Sequence, residues 1–140
     1  MRAAVILALS AMVGFSGLPG ARADDTDAKI DAIMVKANSE WTVLLTCTAL
    51  DVKTHDFLVG AIADTKARSK ALLEQKGFAG DKIALMLARF GEPASAVKDD
   101  APAADLMAYC HAHPEWQEQM GTMQFTIPHL ALAELFGAKP

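Results

Sequence analysis

The chain holds little of what usually carries catalysis or nucleic-acid binding. Its 140 residues include two cysteines and one tyrosine, and aromatic residues make up only 6% of it. Thirteen lysines and arginines stand against 17 acids, for a net charge of -4. The bases form no cluster, so the chain has no electrostatic footprint for nucleic acid or anionic lipid. It carries no phosphate-binding glycine loop, no Ser-His-Asp order, no zinc-protease motif and no paired-carboxylate signature. These absences read as a non-enzymatic protein that needs no cofactor. No alternating strand pattern, internal repeat or low-complexity tract is present, which argues against sheet and solenoid architectures.

The N-terminus has a pattern of its own. "MRAAVILALSAMVGFSGLPGARADD" opens with the charge of Arg2, runs apolar from Ala3 to Gly17, and breaks at Pro19 and Gly20. Ala21-Arg22-Ala23 is a small-x-small cleavage site, so residues 1–23 are expected to be a secretory signal peptide. The apolar run falls short of the about 20 residues a membrane-spanning helix needs. The mature chain would then run from Asp24 to Pro140. It would lose Arg2 and Arg22 but no acid, taking the formal charge from -4 to -6. The style of leader suggests a bacterial periplasm, with no membrane attachment after cleavage.

Residues 24–140 read as one all-α domain, a small bundle of about five helices. Ile30, Ile33, Met34, Ala37, Trp41, Leu44, Leu45 and Thr48 recur at helical spacing, after a first turn made acidic by Asp24, Asp25 and Asp27. Asp51 or Thr54 can cap a second helix carrying Phe57, Leu58, Ala61, Ile62, Leu72 and Leu73, with Gly77 as its terminator. Asp81 is expected to cap a third, "KIALMLARF", which stops at Gly91. "GEPASAVKDDAPAAD" is the one linker. A fourth helix from about Pro102 carries Leu106, Met107 and Cys110, and Pro114 either ends it or starts another. "PHLALAELFG" forms the last. In an oxidising compartment Cys47 and Cys110 are expected to pair. Such a cross-link restricts the unfolded chain by roughly 4 kcal/mol in the chain-entropy account.

"YCHAHPEW", Tyr109 to Trp116, concentrates chemistry-bearing side chains. Haem attachment would require Cys-x-x-Cys-His, but Met107 stands where the first cysteine belongs. His111 is badly placed to serve Cys110 as a base, because adjacent helical residues point about 100° apart. If a metal is held here, the candidate donors are His111, His113, Met107 and Met120, the His and Met set that suits copper. Otherwise the methionines fill core gaps and the histidines face solvent at a helix end. His55 and His129 read as surface or capping residues, Trp41 and Trp116 as core, and Lys66, Lys70 and Glu74 as a solvated charged face.

"LLTC" (Leu44 to Cys47), "DFLVGAIAD" (Asp56 to Asp64), "LMAYCHAHPE" (Leu106 to Glu115) and the closing "ALAELFG" resemble the small periplasmic immunity proteins of the Rap/Tai type, which neutralise cell-wall amidases of type VI secretion. Leu58 stands where that pattern would have another cysteine. At a coarser level the chain is similar to HdeA-like acid chaperones, small secreted helical proteins with one disulfide and an aromatic residue shortly before the first cysteine, as Trp41 is here. The first resemblance implies binding of a protein partner, the second a fold that loosens in acid. A periplasmic metal carrier is the third reading. An apolar content of 52% is also compatible with a homodimer.

Overall fold

The stripe beginning at Ile30 does form one face of a helix, and the rest of the molecule is assembled on it. The computed structural model describes residues 20–138, and among these the chain is all-helical, with six α-helices and no strand. They are α1 (Gly20–Cys47), α2 (Val52–Gln75), α3 (Gly80–Phe90), α4 (Ala103–Ala112), α5 (Glu115–Thr122) and α6 (Pro128–Leu135). The expected leader lies outside the described residues as far as residue 19, and its last four residues open α1. Asp24, Asp25 and Asp27 therefore lie beyond the first turn of α1.

α1 packs against all five other helices, while α2 also packs against α3 and α6. Ile30, Met34, Ala37, Trp41, Leu44 and Leu45 are buried along α1. They meet Leu58, Ile62 and Leu73 of α2, Ile83, Met86 and Phe90 of α3, Phe125, and Leu132 of α6. Trp41 is the hub: its ring meets Phe90 at 5.6 Å and Phe125 at 5.7 Å, both edge-on, the arrangement aromatic quadrupoles favour.

Several boundaries differ from the sequence expectation for local reasons. The helix count is six, because Pro114 both follows the end of α4 and serves as the N-cap residue of α5 with φ -62°. Asp81 does not cap α3; the helix begins two residues earlier than expected, at Gly80 with Ala79 as N-cap, and Asp81 lies in the first turn. Phe57 points outward, 60% exposed, because the buried stripe of α2 passes through Leu58, Ile62, Thr65 and Ser69. Asp51 does cap α2: its carboxylate accepts from the Thr54 amide at 3.4 Å, and also from the Thr54 hydroxyl at 2.6 Å. These bonds hold the Asp51 carboxyl below its ordinary value of 3.8. Gly77 and Gly91 end α2 and α3 with φ of +84° and +59°.

The linker between α3 and α4 is not loose. Its Pro93 is buried, and the Ala96 amide donates to the Thr46 hydroxyl of α1 at 2.8 Å. On the charged face of α2, Lys70 and Glu74 are exposed, and the half-buried Lys66 pairs across to the exposed Glu92. Asn38 donates to the Phe90 carbonyl at 2.7 Å, binding the end of α3 to the middle of α1.

Candidate functional site

The segment between α5 and α6 is shaped by two neighbouring residues of α1. Met123 turns the chain in the left-handed region, φ 53°. Three residues on, the Thr126 amide donates to Glu40 at 2.6 Å and its carbonyl accepts from the Trp41 indole at 2.9 Å. Both backbone groups of one residue are thus satisfied by α1, as a half-buried segment without secondary structure requires. Residues of α1, this segment and α6 together line an open groove of about 930 Å³. Ile33, Phe125, Ile127, Leu130 and Ala131 line it, with Lys36 and Glu134 among its polar groups. Met123 and Leu130 are about half exposed there, at 50% and 45%.

A second opening lies at the disulfide. Cys47 and Cys110 are bonded, with their Cα atoms 5.6 Å apart, inside the usual range for a disulfide. The bond joins the end of α1 to α4 and is only partly buried. It walls a crevice of about 200 Å³ shared with Leu50, Leu106, Met107, His111, Pro114 and Trp116. Of the four candidate metal donors, the structure brings together Met107 and His111, one turn apart on α4, in this crevice. His113 is drawn away: its ring stacks near Tyr109 at 4.6 Å and its Nδ1 lies 3.5 Å from the Glu115 carboxylate. Met120 packs against the core. Among the described residues no three His, Cys, Asp or Glu side chains converge as a metal-holding group.

A third hollow, about 480 Å³, runs between α2 and the linker and includes His55, Val59, Lys66, Glu92 and Ser95. His55 is not free there, since its Nδ1 is 3.1 Å from the Leu45 carbonyl. His129 is partly buried in α6, and its Nδ1 has no partner. Burial, with the Arg68 guanidinium second, lowers its pKa from 6.5, while Asp64 acts the other way. Burial raises the Tyr109 phenol above its ordinary value. Trp41 is core as expected, and Trp116 is half-buried between core and crevice.

The parts played by Glu40 and Thr46 are not legible in the sequence, because a polar residue on a helix reads as solvated until its partner from a distant segment is placed. Among the described residues no helix is long and apolar enough to cross a membrane. Compared with family models, with curated proteins and with solved structures, the chain matches none.

Proposed function

We propose that this chain is an exported binding module of the bacterial periplasm, which takes apolar side chains of a protein partner into the groove between α1 and α6. It acts by occupying that partner, as an immunity protein or inhibitor does, and not by catalysis. The observation that carries the reading is the groove itself: apolar, open, and with half-exposed Met123 and Leu130 beside charged groups. Apolar anchors surrounded by polar groups are what protein interfaces use. The Glu40 and Trp41 clamp on Thr126 supports the reading further, since a groove set before binding loses less entropy when filled. Leader and disulfide both suit an oxidising compartment.

A photo-crosslinking residue at Leu130, in the protein expressed in its own cell, is expected to trap one discrete partner. The purified partner should then bind one to one, and a Met123→Asp/Leu130→Asp variant should weaken it at least tenfold. Leu85→Asp, on the exposed side of α3, should leave it unchanged. Equal affinity for the groove variant and the parent protein would sink the proposal.

One observation favours a second reading, an acid-responsive chaperone. His129 is the imidazole whose burial opposes its charge, and α6 forms one wall of the groove. Protonation would loosen that wall and bare the apolar residues beneath it.

A further inference from the structure

We propose that Met107 and His111 form a binding site for a soft monovalent d10 cation, Cu(I) in physiological terms, at the disulfide crevice. The two residues stand one helical turn apart on α4, which sets their Cβ atoms about 5–6 Å apart on one face. Paired ligands on zinc-protease helices use the same spacing. Both side chains line one crevice of about 200 Å³, so thioether and imidazole can turn toward a shared ion.

Their surroundings favour this assignment. Met107 is 50% exposed, so it is not filling a core gap as Met120 does. The His111 side chain has no hydrogen-bond or ion-pair partner among the described residues, whereas His55 meets a carbonyl and His113 a carboxylate. Both thiols are consumed in the disulfide, which leaves the thioether and imidazole as the donors here.

Chemistry then selects the ion. No aspartate or glutamate lines the crevice, so calcium and magnesium, which require several oxygen ligands, are disfavoured. Zinc prefers four ligands. A thioether with an imidazole is a soft donor pair that suits Cu(I). Trp116 lines the same crevice, and an aromatic ring there suits a cation. With two protein donors at an exposed site, the ion stays exchangeable, as cargo rather than as part of the fold. This inference is independent of the groove.

The test uses Ag(I) as a redox-inert probe, in chloride-free buffer, on the oxidised protein. Calorimetry should give one site, and NMR should show the Met107 methyl and the His111 ring shifting together. Met107→Leu and His111→Ala should each weaken Ag(I) at least tenfold, while His113→Ala and Met120→Leu leave it unchanged. Far-UV circular dichroism checks that each variant keeps its helices. Absence of Ag(I) binding, equal binding by all four variants, or a preference for Zn(II) over Ag(I) would each overturn the assignment.

Discussion

Individual side chains do two kinds of work here. Trp41 fills the middle of the core and also uses its indole N–H to fix the chain that follows α5. His129 sits where charge is unwelcome. Its pKa is lowered from 6.5, by burial first and Arg68 second, against the pull of Asp64. The unfolded chain therefore takes up that proton at a higher pH than the folded one. The stability is intact above the unfolded value and is lost as pH falls through 6.5 toward the lower folded value. Urea unfolding at pH 7.5 and at pH 5.5 should show a drop in midpoint that His129→Gln reduces and His113→Gln does not. An equal drop in the His129 variant would remove this histidine as the cause. The donor pair on α4 was partly legible in the sequence, since the spacing of Met107 and His111 is visible there. That His113 turns to Glu115 and Tyr109 was not, because rotation at a helix end depends on how the chain continues.

At the scale of helices and their connections, the apolar periodicity of α1 and the glycine stops were readable because they arise from contacts a few residues apart. Gly91 shows why its position demands glycine. Its φ of +59° with ψ of -139° is backbone that side chains avoid, although the space beside it would accept a Cβ in ordinary contact with the Ala88 carbonyl oxygen at 3.4 Å. Gly91→Ala should cost about 1–3 kcal/mol in chemical denaturation. Gly60 is the opposite case, exposed within α2, with nothing within 4 Å of an added Cβ. Gly60→Ala should stabilise by about 0.5–1 kcal/mol, through helix propensity alone. The linker reads as a solvated tether, yet Thr46 holds it by the Ala96 amide. Thr46→Val keeps the shape and removes the acceptor. It should cost about 1 kcal/mol and speed proteolysis within residues 91–102, while the helices stay resistant.

Over the whole molecule, one covalent bond joins the two ends of a long excursion: Cys47 and Cys110 are 63 positions apart in sequence. Reduction, or a Cys47→Ser/Cys110→Ser pair, should lower unfolding stability by roughly 4 kcal/mol. Helical circular dichroism should persist under native conditions, since the core on α1 does not include the disulfide. Loss of helix on reduction would mean that the bond is a condition of folding. The sequence by itself determined the helical class, the buried stripe of α1 and the two cysteines available for pairing, because helix periodicity and stop residues are local properties. Only the tertiary structure decided that Pro114 separates two helices, that Phe57 faces outward and that the disulfide borders an open crevice. It alone decided that Glu40 and Trp41 grip Thr126 to leave a groove beside α6. Each of these depends on which distant segments meet, and burial and hydrogen-bond partners across 50 to 86 residues of separation leave no periodic trace in the chain.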